Sequence, residues 1–152
     1  MKDYSTKLLF EIFTQVAPPL DLRDETNTGR LIYNVAGGHF EGERIRGKVL
    51  PTSGDWVTVH PGSELEFDVR LLLETDDGAL VYMSYSGMKT PTEMDRSMFE
   101  SGKKLDTTNA SFRIDPVFET CAPQYAWLNG LQTISLGARD EQGIYSQVFE
   151  VN

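Results

Sequence analysis

The sequence has little cysteine. Its 152 residues include one, Cys121, which excludes an internal disulfide and a thiolate zinc site. It is also short of positive charge. Lys and Arg number 14 against 23 Asp and Glu, a net charge of −9, with a pI of about 4.6. Nucleic acid and anionic membrane surfaces are met by basic faces, so neither is expected as a partner. Long apolar runs are missing too. Residues 8–16 are interrupted by Glu11, Thr14 and Gln15. A secretory signal needs an unbroken apolar run of about 7–15 residues, and a membrane helix about 20. The expectation is a cytoplasmic protein. No P-loop, GxSxG elbow or HExxH is present, and Gly37-Gly38 lacks the rest of a dinucleotide fingerprint. No cofactor and no metal are expected. His39, Glu41 and Glu43 alternate along one strand face, where neighbours seldom converge on one ion.

What is present is one domain's worth of chain, 39% hydrophobic and 24% charged, read as a single unit over residues 1–152. Apolar residues alternate more often than they recur at helical spacing. Strands are predicted over residues 8–13, 30–35, 40–50, 55–60, 64–75, 79–86, 111–118, 131–136 and 145–151. Gly37-Gly38 marks a turn or bulge, and residues 137–143 a hairpin turn. Asp76-Asp77-Gly78 reads as a three-residue hairpin loop with Gly in the left-handed position. That loop pairs Thr75 with Ala79 and sets Arg70 opposite Ser84 and Leu72 opposite Tyr82. Thr90-Pro91-Thr92-Glu93 is a capping box that opens one short helix over about 91–101. Its Met94 and Met98 would pack the helix down or lie over a pocket. An all-β protein of about eight to ten antiparallel strands follows, a barrel or a sandwich.

The residues 64–74 carry the chemistry of most interest. Leu65, Phe67, Val69, Leu71 and Leu73 share one face, and Asp68, Arg70 and Leu72 the other, joined there by Tyr82 and Ser84 across the hairpin. Either the charged face is solvated, or both faces are covered and Asp68, Arg70 and Tyr82 form a paired polar cluster inside the barrel. In the second case the apolar stripe would need a cover such as a second subunit, so a homodimer is a possible assembly. Asp55-Trp56 after the Ser53-Gly54 turn would line a pocket mouth, or else cap the turn and fill the core. Tyr125, Trp127 and Asn129 form a similar set. Cys121 has no histidine near it in sequence and reads as a packing residue.

Several of these segments occur together in a known order. Gly29-Arg30, then Gly37-Gly38-His39-Phe40-Glu41-Gly42, Arg46-Gly47, Gly54-Asp55-Trp56, Asp68-Val69-Arg70 and the run from Thr75 to Tyr82 resemble the domain-of-unknown-function family 3237. Phe112-Arg113, Phe118-Glu119-Thr120 and the segment from Tyr125 to Asn129 resemble its second half. The resemblance covers nearly the whole chain. It implies an antiparallel β-barrel of about 150 residues and no particular activity. It also singles out Arg30, Asp55, Trp56, Asp68, Arg70, Tyr82, Glu119 and Trp127 as motif residues. A motif centred on Asp68 and Arg70 favours the interior cluster over the solvated one.

The expected partner is therefore a small, partly apolar molecule in a barrel pocket. As an enzyme without cofactor, the protein would use Asp68 or Asp55 as a general base for isomerisation, cyclisation or elimination. Arg70 would hold a carbonyl or carboxylate oxygen, and Tyr82 would stabilise an oxyanion. Arg30, Trp56, Glu119 and Trp127 would bind the substrate. As a lipocalin-like binder, the protein would use the same pocket with no base facing the ligand.

Overall fold

The computed structural model describes residues 3–89 and 112–152. The helix expected over about 91–101, with Met94 and Met98, lies outside them. The described chain forms β1 (Thr6–Val16), β2 (Leu20–Asp21), β3 (Gly29–Glu41), β4 (Arg46–Val49), β5 (Ser53–Val59), β6 (Leu65–Thr75), β7 (Leu80–Lys89), β8 (Phe112–Ile114), β9 (Val117–Glu119), β10 (Thr133–Arg139) and β11 (Gly143–Val151). A 3-10 helix, Pro123–Leu128, lies between β9 and β10. No helix of the described residues is long and apolar enough to cross a membrane.

The strands pair antiparallel in the order β8-β10-β11-β1-β3-β4-β6-β7-β9, with β5 continuing the place of β4 between β3 and β6. β8 and β9 follow each other in the chain. The first pairs with β10 and the second with β7, so this segment joins the two ends of the sheet and closes a barrel. Closure removes the open edges that a flat sheet would expose. With β4 and β5 counted as one stave, and β8 and β9 as another, the wall has eight staves, and β2 pairs with β3 in line with β1. The segment 111–118, expected as one strand, breaks in two at Pro116, which has no N–H to give a ladder. Thr133 Oγ1 donates to the Pro116 carbonyl at this joint.

The β6–β7 hairpin has the expected register. Arg70 lies opposite Ser84 and Leu72 opposite Tyr82. Thr75 N–H donates to the Ala79 carbonyl at 2.9 Å, and Gly78 has φ 86°. Gly37-Gly38 is a bulge and not a turn. Gln15 pairs with Gly37 but Val16 with Val35, which leaves Ala36 unopposed. β3 therefore runs on, pairing with β5 in its first half and with β1 and β4 in its second. Close approach requires glycine here: a Cβ on Gly38 would lie 2.0 Å from the Phe13 carbonyl oxygen. The expected strand 40–50 is divided, because the chain reverses between Gly42 and Ile45 through a 2.9 Å backbone hydrogen bond.

The apolar stripe of β6 faces inward. Val69, Leu71 and Leu73 are buried, together with Val81 and Met83 of β7. At one end of the barrel Phe10 packs against Phe40 and Phe118, with ring centroids 5.4 and 5.9 Å apart. The 3-10 helix covers this end, adding Leu128 to the core with Tyr125 and Trp127 against it. Tyr125 donates to Asp77 of the hairpin loop at 2.8 Å. A smaller cluster of Leu31, Val57 and Val59, with Tyr33, Leu65 and Phe67 against it, lines the other end of the β6–β7 hairpin. That end is less filled, and the cavity lies there.

Candidate active site

The cavity has a volume of about 150 Å³. Its walls are Leu31 and Tyr33 from β3, Asp55 and Val57 from β5, and Leu65, Phe67 and Val69 from β6. Tyr85 and Lys89 from β7, Arg139 from β10 and Ile144 from β11 complete it. Strand pairing explains the set. Tyr33 lies opposite Asp55, Asp55 opposite Val69, and Val69 opposite Tyr85, one row across four strands. Side chains in such a row point to the same side of the wall, here inward.

Asp55 is a carboxylate in apolar company. Its Oδ1 is buried and, among the described residues, has no hydrogen-bond partner. Burial raises its pKa to about 6, partly offset by the Asp68 backbone N–H and the Arg139 charge and reinforced by the Asp68 charge. Burial also raises the Tyr85 hydroxyl, and the Asp55 charge adds to the rise. Tyr85 thus stays a neutral O–H donor across the physiological range. Arg139 lies over Tyr33 with its guanidinium carbon 4.4 Å from the ring centroid, a cation–π contact that holds the planar fork in place. The described lining thus sets the Asp55 carboxylate of raised pKa, the neutral Tyr85 phenol and the cations of Arg139 and Lys89 around an apolar void, a set equipped for proton transfer.

Of the residues expected in the site, only Asp55 lines this cavity. Asp68, Arg70 and Tyr82 do share a face, but it is the outer one, a correction to the interior cluster. The reason is the alternation of the strand: the stripe from Leu65 to Leu73 fills the interior, so its neighbours must point out. The Arg70–Asp68 ion pair at 3.2 Å is surface chemistry, with side chains 57% and 47% exposed. Because the barrel itself covers the stripe, a second subunit is not needed to cover it. Trp56 is exposed on the outer face, with Arg70 5.4 Å from its ring. Alternation separates it from Asp55, and the turn is held by Ser53, whose Oγ donates to the Leu50 carbonyl at 2.8 Å. Arg30 and Glu119 are exposed, the latter opposite Tyr82. Trp127 packs at the filled end under Arg44, 4.1 Å from its ring.

Four polar lining residues escaped the sequence reading. Tyr33 and Tyr85 could have been found from the ladder row of Asp55. Arg139 falls within residues 137–143, which the sequence predicts as a hairpin turn. In fact β10 runs through to Arg139, and Asp140 makes the turn by accepting from the Gln142 and Gly143 N–H groups at 2.8 and 3.1 Å. Lys89 lay beyond the expected end of its strand at residue 86.

Comparison with known proteins agrees with the architecture. Residues 4–151 match the model of the family described as "Protein of unknown function (DUF3237)". A UPF0311 protein from Rhodopseudomonas palustris strain TIE-1 is 34% identical, over 96% of this chain and 95% of that one. A crystal structure of a beta-barrel like protein from Acinetobacter baumannii AYE superposes with a TM-score of 0.81 at 29% identity, covering 100% of this chain and 98% of that one. An enzyme from Penicillium herquei shares the fold, with a TM-score of 0.74 at 14% identity and coverage of 100% and 97%. An antiparallel barrel in its described residues and matched to the family model from residue 4 to residue 151, this chain belongs to the DUF3237 family.

Proposed function

We propose that this protein is a cofactor-independent enzyme that moves a proton on a small, partly apolar carbonyl compound, with Asp55 as the general base. The observation that carries the reading is the Asp55 carboxylate: buried in an apolar cavity, one oxygen without a partner among the described residues, its pKa raised to about 6. Such a group is ionised at neutral pH yet basic enough to accept a proton from an acidic C–H. The C–H bond breaks, its proton goes to an Asp55 oxygen, and its electron pair forms the enolate. The Tyr85 O–H donates a hydrogen bond to the enolate oxygen. Return of the proton to another atom gives isomerisation; to the same carbon, exchange with solvent. The Penicillium herquei enzyme of the same fold is consistent with chemistry in such a barrel.

The test is deuterium exchange at the α-carbons of cyclohexanone in D2O, followed by proton NMR. The wild type should exchange faster than buffer, and Asp55→Asn should lose the acceleration by about 100-fold or more. Tyr85→Phe should lose less, since the base remains. Absence of exchange for cyclohexanone and for every other carbonyl compound shown to bind the cavity would overturn the reading. The protein would then be a lipocalin-like carrier.

A further inference from the structure

We infer that the natural substrate is a single-ring organic monoanion whose carboxylate or enolate oxygens are gripped by Arg139, with its acidic hydrogen turned toward Asp55. The inference rests on the cavity being the functional site and adds the class of molecule it takes. Three observations converge on it. A void of about 150 Å³ is the size that holds one six-membered ring. Its aromatic walls, Tyr33, Phe67 and Tyr85, suit a flat ring. Among the described lining residues the charge balance is opposite in sign to that of the molecule. The chain carries −9 overall, while the described lining brings Arg139 and Lys89 together with one carboxylate, Asp55. Cations concentrated in an apolar void of an acidic protein select for anions. Arg139 is the stronger of the two because its guanidinium is already oriented by the Tyr33 ring at 4.4 Å. A fixed planar fork meets a carboxylate through two parallel hydrogen bonds, which a lysine does not offer. One oxygen pair on Arg139 and a reactive hydrogen at Asp55 fix the ring at two points and so determine which carbon is deprotonated.

The experiment compares benzoate with benzamide, its neutral counterpart of the same shape, by isothermal titration calorimetry at pH 7. Benzoate should bind at least about tenfold more tightly, the difference between a charge-assisted and a neutral hydrogen bond. It should also suppress cyclohexanone exchange. Arg139→Gln should bring the two affinities together, and Arg139→Lys should recover only part of the gap. The wild-type comparison stands even where a variant fails to fold. Equal affinities in the wild type, or binding of neither compound up to about 10 mM, would overturn the inference. Cyclohexanone exchange that still depends on Asp55 would in that case leave the proton-transfer reading intact. Conversely, benzoate preference without any exchange would keep the anion site and remove the base.

Discussion

Asp55 sits where stability and reactivity pull apart. In the unfolded chain its carboxyl has the ordinary value of 3.8, and in the folded barrel about 6. Between those values the folded state holds the proton more tightly, so stability falls as pH rises from about 4 to 6 and is level above. The loss from this one group is of order 3 kcal/mol. Asp55→Asn should therefore stabilise the protein by up to about that amount at pH 8 and change little at pH 4, as read from urea unfolding at both values. The groups facing Asp55 are Arg139, the Asp68 N–H and charge, and Tyr85, and all are retained in the variant. Equal stability of the two proteins at pH 8 would show that the carboxylate is not strained by burial. The Arg70–Asp68 pair is the contrasting case. Two exposed side chains 3.2 Å apart contribute well under about 1 kcal/mol.

At the scale of the element, β3 decides the geometry of the site. Its bulge at Ala36 lets one strand serve two neighbours, β5 on the cavity side and β1 with β4 on the packed side. Tyr33, opposite Asp55, belongs to the first half; Phe40, in the aromatic cluster, belongs to the second. Gly38 makes the crossover possible, with φ 155° and the Phe13 carbonyl where a Cβ would stand. Gly38→Ala should cost about 2–4 kcal/mol in urea unfolding, from backbone strain and the forced separation of β1 and β3. Gly62→Ala supplies the comparison. Its Cβ would meet nothing within 4 Å, so only the positive φ of 89° is penalised, by about 1–2 kcal/mol. Similar costs at the two sites would mean that the β1–β3 contact yields easily.

The whole molecule is a ring of mutually dependent staves. β1 and β11, at opposite ends of the chain, pair along nearly their full length, from Thr6 with Val151 to Gln15 with Gly143. Non-local pairing of this kind makes folding slow, in the range of milliseconds to seconds, and all-or-none. Truncation before Gly143 removes the stave between β10 and β1 and leaves both edges open. The shortened chain should show no cooperative thermal transition by circular dichroism. A sharp melt in it would mean that the barrel closes without β11. The cavity also depends on the whole ring, since its walls come from β3, β5, β6, β7, β10 and β11.

Much of the architecture was legible locally. The alternation along residues 64–74 predicted a half-apolar strand, and Gly78 in the third loop position set the hairpin register that the structure has. Both depend on neighbours in sequence, through the two-residue period of a strand and the backbone freedom of one glycine. Which face of that strand turns inward was not local information. Asp68 and Arg70 are as compatible with a polar pocket as with a wet surface until the other staves are in place. The sequence by itself determined an antiparallel β-protein and named Asp55 among its candidates. Only the tertiary structure decided that Asp55, and not Asp68, meets Tyr85 and Arg139. The β5–β6–β7 ladders bring Asp55 and Tyr85 into one row, closure of the sheet brings Arg139 of β10 to the same cavity, and that closure strips water from what it encloses.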